Sequence, residues 1–126
     1  MAWSTEHRTT IFVYGTLMRG EARHSALRDQ QFVSDANTDC CYRLLLIDDY
    51  PGLVDASDGK GDSIAGELWS VDQSCLRRLD AIECVDDGLY ERREIMLIDS
   101  TDHVEAWFYS HDVVGRKDLG TDWRSR

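Results

Sequence analysis

The apolar residues of this chain come in short runs of strand length, each cut off by glycine, proline or an acidic turn. That spacing constrains the fold more than any other feature. Thr9-Thr10-Ile11-Phe12-Val13-Tyr14 is β-branched and aromatic and stops at Gly15, the pattern of a buried strand running into a loop. Cys41 to Ile47 reads as a second strand, followed by a turn at Asp48-Asp49-Tyr50-Pro51-Gly52 that holds the chain's only proline. Leu53-Val54 is a short extended piece, Asp58 to Asp62 a loop tip, and Ser63 to Val71 another strand. Tyr90 to Ile98 and His103 to Tyr109 complete the set, joined by a turn over Asp99 to Asp102.

Two segments depart from this pattern. Gly20 to Arg28 predicts a short helix with Ala22, Ala26 and Leu27 turned inward. Asp72 is placed to cap a second helix in which Cys75, Leu76, Leu79 and Ile82 share one face. That helix ends near Glu83, before the acidic loop Cys84 to Gly88. A chain of 126 residues holds one domain with one core. Its structured part is expected over about 9–112, with a polar tail over 115–126. The predicted class is α+β: a mixed, curled or barrel-like β-sheet with two short helices.

Charge narrows the partners. There are 14 basic against 24 acidic residues, a formal net charge of −10, which repels nucleic acid and anionic membrane surfaces. Small molecules or further copies of the chain remain, as a monomer or homodimer. No apolar run approaches the ~20 residues that span a bilayer, and Met1 to Arg8 lacks the apolar segment of a signal peptide. Cys40, Cys41, Cys75 and Cys84 form no C-x-x-C, and the adjacent pair would bridge only with strain. Free thiols in a reducing cytoplasm are the expectation.

Several kinds of chemistry are absent. The chain has no G-x-S-x-G elbow and no P-loop, and His7, His24, His103 and His111 never fall at the H-E-x-x-H spacing. The pairs Asp48-Asp49 and Asp86-Asp87 have no further ligand in register, so no metal is expected there. Cys75 lies on an apolar helix face, and Cys84 stands beside acidic residues, a poor setting for a nucleophilic thiolate.

Two segments do carry chemistry. Where a strand stops at Gly15, backbone can approach a ligand closely, and the successive N–H groups of Gly15, Thr16 and Leu17 suit an anion or a developing oxyanion. An ordinary strand-loop connection has the same local pattern. Glu83 ends an amphipathic helix, where the helix dipole and desolvation both push a carboxyl toward proton transfer near neutral pH. Most helix-end glutamates are simply exposed.

Taken together, the segments resemble the γ-glutamyl cyclotransferase-like family, which includes the γ-glutamylamine cyclotransferases and plant avirulence-induced proteins. Val13-Tyr14-Gly15-Thr16-Leu17 is similar to the family's opening motif. Gly66-Glu67-Leu68-Trp69-Ser70-Val71-Asp72, Leu79-Asp80-Ala81-Ile82-Glu83 and Leu89-Tyr90-Glu91-Arg92 follow in the family's order, so the resemblance spans about 9–112. The short length and the run Phe12 to Gly20 look nearer to the γ-glutamylamine branch. Cys84 departs from the glycine or other small residue common after the family's glutamate.

The resemblance implies a cofactor-independent enzyme acting on a γ-glutamyl amide. The substrate's α-amine attacks its own γ-carbonyl, releasing 5-oxoproline and a free amine. Glu83 would act as general base and then acid, with Tyr14, Gly15, Thr16 and Leu17 forming the γ-glutamyl pocket. Tyr90, Arg92 and Tyr109 would support the pocket wall or Glu83. The alternative is a non-catalytic binding or regulatory module on the same fold. The leaving amine is open, with the net negative charge mildly favouring a cationic one.

Overall fold

A computed structural model describes residues 7–56 and 59–126, so the polar start 1–6 and the first residue of the Asp58 to Asp62 loop tip lie outside it. In chain order the elements are β1 (Arg8–Val13), β2 (Gln31–Asn37), β3 (Tyr42–Leu46), β4 (Pro51–Asp55), β5 (Ala65–Asp72), α1 (Gln73–Ile82), β6 (Tyr90–Glu94) and β7 (Glu105–Tyr109). Single 3-10 turns form at His24–Leu27 and Trp123–Ser125.

β1 is central to a five-stranded sheet of order β2-β5-β1-β7-β6, while β3 and β4 pair as a separate two-stranded sheet. β1 runs antiparallel to β5, from Arg8 opposite Asp72 to Val13 opposite Glu67, and parallel to β7 at Ile11 and Glu105. The α+β class and the mixed sheet hold. The sheet is not a closed barrel: β2 and β6 are its two edges. Ile11, Phe12, Val71, Leu79, Trp107 and Phe108 are among the residues of one continuous core. Backbones approach closely there, since a Cβ on Gly66 would lie 2.3 Å from the carbonyl oxygen of Val13. Among the described residues no helix is long and apolar enough to cross a membrane.

Three local expectations are corrected. β2 was not foreseen, because an edge strand needs no buried face. Its residues Gln31 to Val33 are all exposed, and a bulge between Phe32 and Ser34 breaks the alternation that marks a strand. The predicted helix over Gly20 to Arg28 contracts to the turn at His24–Leu27. Gly20 has φ 82°, outside helical space, and of the three inward residues only Leu27 is buried while Ala22 is exposed. The strands over 90–98 and 103–109 shorten to end at Glu94 and begin at Glu105.

Pro51 opens β4 opposite Leu46, the first strand position where a missing N–H is tolerated. Leu53-Val54 is thus the middle of a five-residue strand. The segment 115–126 runs along β3: Leu46 N–H donates to Lys117 O at 2.8 Å and Leu119 N–H to Leu44 O at 2.8 Å. Trp123 is buried and donates from Nε1 to Glu21 Oε1 at 3.0 Å.

Candidate active site

A cavity of about 250 Å³ opens where β1 ends, between the loop that follows it, the start of β4 and the end of α1. Tyr14, Gly15, Thr16, Leu17, Glu83 and Tyr90 all line it, although they are scattered through the sequence. Arg92 and Tyr109 do not.

The loop presents donors. Its carbonyls are engaged within the protein: Gly15 O accepts from Met18 N–H at 3.1 Å, Thr16 O from Arg23 N–H at 2.7 Å, and Leu17 O from His24 Nδ1 at 3.0 Å. The N–H groups of Gly15, Thr16 and Leu17 have no acceptor among the described residues. Three adjacent unengaged amides at a cavity wall suit a carboxylate or an oxyanion. The missing side chain of Gly15 has a second consequence. A Cβ there would sit 2.6 Å from Cγ of Pro51, so glycine is what lets β4 close against the loop.

α1 carries Glu83 to the opposite wall. Asp72 caps the helix by accepting from Cys75 N–H at 2.7 Å. The far end closes with two backbone bonds, Cys84 N–H to Ala81 O at 3.1 Å and Val85 N–H to Asp80 O at 3.0 Å. This is the Schellman arrangement, in which the residue after the cap turns left-handed. That residue is Cys84, with φ 53°. Burial pushes the Glu83 carboxyl from its ordinary value of 4.5 up to about 7, and the guanidinium of Arg23 opposes the rise. A carboxyl so placed exchanges protons readily at neutral pH.

Glycine is the residue best suited to Cys84's position, since a Cβ crowds the carbonyl there. Cys84→Gly is expected to stabilise the fold by up to ~1 kcal/mol, the relief of strain exceeding the added entropy of the unfolded chain. Urea denaturation at pH 7 measures it. A loss of stability would show that the Cys84 side chain is needed for packing.

The walls are held by buried phenols. Tyr14 donates its hydroxyl to Trp107 O at 2.7 Å, and Tyr90 donates to Pro51 O at 2.7 Å. Burial raises both hydroxyls' pKa, with the nearby Glu83 charge adding to the effect, so both stay neutral donors. Tyr109 stacks edge-on against Tyr90 at 5.5 Å, one layer behind the cavity.

Arg92 works at a distance. It pairs with Asp80 Oδ2 at 2.5 Å and with Glu105 Oε1 at 3.0 Å, while Asp80 Oδ1 accepts from Trp107 Nε1 at 2.9 Å. The last turn of α1 is thereby tied to β6, to β7 and to the cavity wall. Sequence reading missed Trp107, Tyr50 and Arg23 as lining residues. Trp107 reads as strand core and Tyr50 as part of a turn; nothing local marks Arg23.

The model of the family described as Gamma-glutamyl cyclotransferase, AIG2-like, matches residues 11–125. The chain belongs to that family. A protein of Vibrio cholerae named putative gamma-glutamylcyclotransferase is 34% identical over 120 residues, covering 92% of this chain and 96% of that protein. Gamma-glutamylaminecyclotransferase A of Danio rerio is 34% identical over 110 residues, 79% of this chain and 67% of that one. Among solved structures, a uropathogenic E. coli-specific protein superposes with a TM-score of 0.78 at 24% identity, covering 94% of both chains, a likeness of fold alone. In this cyclotransferase-family chain, the cavity between loop and helix end is the place to look for activity.

Proposed function

We propose that the chain is a γ-glutamyl cyclotransferase that converts a γ-glutamyl amide into 5-oxoproline and a free amine. The observation that carries this reading is the desolvated carboxyl of half-buried Glu83, raised to about 7, in the same cavity as three unengaged amides. The reaction needs a deprotonated amine and a substrate held in its folded conformer. Orientation alone contributes several kcal/mol to such an intramolecular attack.

Glu83 takes a proton from the substrate's α-ammonium. The freed nitrogen forms a new bond to the γ-carbon, while the amides of Gly15, Thr16 and Leu17 receive the substrate's negative oxygens. Glu83 then returns its proton to the leaving nitrogen as the original C–N bond breaks. The ring nitrogen's second proton ends on the released amine, which leaves as an ammonium ion. The two products together contain every atom of the substrate, and no water is consumed. Tyr14 and Tyr90 keep the walls in place, Tyr109 backs Tyr90, and Arg92 positions the helix end through Asp80.

The test is 5-oxoproline release from a panel of γ-glutamyl amides, followed against pH. kcat/KM is expected to climb about tenfold per pH unit below the Glu83 pKa near 7 and to flatten above it, until the substrate's own amine titrates. Absence of 5-oxoproline from every amide in the panel would refute the proposal.

A further inference from the structure

The segment Gly66-Glu67-Leu68-Trp69 plays no part in the proton transfers, yet Glu67 is the one buried charged side chain among the described residues, at 1% exposure. Taking a carboxylate out of water is costly, and exchanging a buried ion pair for apolar side chains is often neutral or stabilising. Packing alone therefore gives no reason for a glutamate here. Its partners do.

Glu67 stands opposite Val13, the last residue of β1, so its side chain leaves β5 where the pocket loop begins. Oε1 accepts from the backbone N–H of Arg19 at 3.1 Å and from Trp69 Nε1 at 3.1 Å, and Oε2 accepts from Arg19 Nε at 2.9 Å. Burial works to raise the carboxyl's pKa, but these donors outweigh it and hold the group below its ordinary 4.5, so it is an anion at neutral pH.

Two routes lead from this carboxylate to the loop amides. The direct one is the Arg19 N–H. Met18 N–H turns back to Gly15 O at 3.1 Å, so the free amides of Gly15, Thr16 and Leu17 are followed at once by two that are tied down. The second route runs through Trp69, whose ring, held by its bond to Glu67, lies 5.3 Å from the ring of His24. His24 Nδ1 is bonded in turn to Leu17 O at 3.0 Å. The Arg19 guanidinium has a further partner in Asp35 at 3.1 Å, whereas the Arg19 N–H has no other acceptor among the described residues.

We propose that Glu67 is a positioning residue for the cyclisation: by accepting from the Arg19 N–H and from Trp69 it fixes the loop so that the amides of Gly15, Thr16 and Leu17 meet the substrate's negative oxygens. What matters on this account is an acceptor at that point, more than the charge. This rests on the cyclotransferase reading above.

Glu67→Gln and Glu67→Leu test it. Glutamine keeps an oxygen for the Arg19 N–H and Trp69 Nε1 but sets an amide NH2 against Arg19 Nε, so it should melt below the wild type while keeping kcat/KM within about threefold. Leucine fills the space without an acceptor and should lose on the order of 10² in kcat/KM, measured at a temperature where the melt shows it folded. The midpoint near 7 that Glu83 gives the pH profile should stay in place in both, because the loop moves and the glutamate does not. A merely structural role would instead open the cavity to water and carry that midpoint down toward 4.5. Equal losses in the two variants, wild-type turnover in Glu67→Leu, or a displaced midpoint overturns the proposal. Amide hydrogen exchange on the wild type needs no variant: the Arg19 N–H should exchange about tenfold or more slower than those of Gly15, Thr16 and Leu17, and equal rates would overturn the proposal as well. Release of 5-oxoproline by the wild type keeps the cyclotransferase reading whichever way the variants fall; no release from any γ-glutamyl amide removes both.

Discussion

Glu83→Gln is expected to lower 5-oxoproline release about a thousandfold and, at alkaline pH, to make the protein more stable than the wild type. The first effect follows from the proton transfers. A positioned general base or acid contributes roughly 10²–10⁴ in rate, and glutamine keeps the shape of the side chain while removing both roles. The second follows from where the carboxyl sits. Its native pKa of about 7 lies above the ordinary 4.5 that the unfolded chain would show. Below 4.5 the group is neutral in both states and costs nothing. Between 4.5 and about 7 the unfolded chain ionises while the native one holds its proton, so stability falls as pH rises, and above about 7 the loss is complete.

A shift of that size corresponds to a penalty of about 3–3.5 kcal/mol, which the amide escapes. Wild type and variant should therefore have similar stabilities near pH 4.5 and diverge by about that amount at pH 8.5. Parallel denaturation curves at the two pH values measure this, since other titrating groups are common to both proteins. Turnover within tenfold of wild type would remove Glu83 from the chemistry. A constant stability difference across pH would mean that its carboxyl is not perturbed by burial.

Gly15→Ala is the second large effect, expected to lower kcat/KM about a hundredfold. The added methyl carbon would lie 2.6 Å from Cγ and 2.9 Å from Cδ of Pro51. Neither atom is the end of a flexible chain. Pro51 is the first residue of β4, and its carbonyl is held by the Tyr90 hydroxyl at 2.7 Å. The loop must then move away from β4, or Pro51 must drag Tyr90 with it; either shift displaces one cavity wall relative to Glu83. A misplacement of about 1 Å costs an intramolecular reaction on the order of 10² in rate. Overpacking should also cost about 1–3 kcal/mol of stability. Steady-state kinetics beside a thermal melt separates the two. A kcat/KM close to wild type would show that the loop and β4 tolerate separation.

Much of this architecture is legible in the chain because its signals are local. β1 announces itself by the six β-branched or aromatic residues from Thr9 to Tyr14 ahead of Gly15, and α1 by its Asp72 cap and the face formed by Cys75, Leu76 and Leu79. Glu83 is visible as the residue that ends that face. Other elements lack a local signature. β2 exists because β5 offers it a ladder of backbone partners from Gln31 opposite Ser70 to Asn37 opposite Ala65, a requirement met without apolar side chains. The expected helix at 20–28 yields to contacts made elsewhere, with Arg23 N–H drawn to Thr16 O and the Glu21 carboxylate to Trp123, which lies about a hundred residues away.

The same division runs through the site. Read alone, the sequence determined that Glu83 ends a helix and that Tyr14 to Leu17 follow a strand, because propensity, capping and the φ freedom of glycine act within a few residues. Only the tertiary structure decided what surrounds that glutamate. Its pKa near 7 comes from desolvation in a cavity that the loop after β1 and the start of β4 also line, segments far from Glu83 in the chain. Cys84 turned from an unexplained departure into a left-handed cap, and Arg23 from one residue of a supposed helix into a cation lining the cavity. Desolvation and charge proximity depend on distances in space, and those are set by packing.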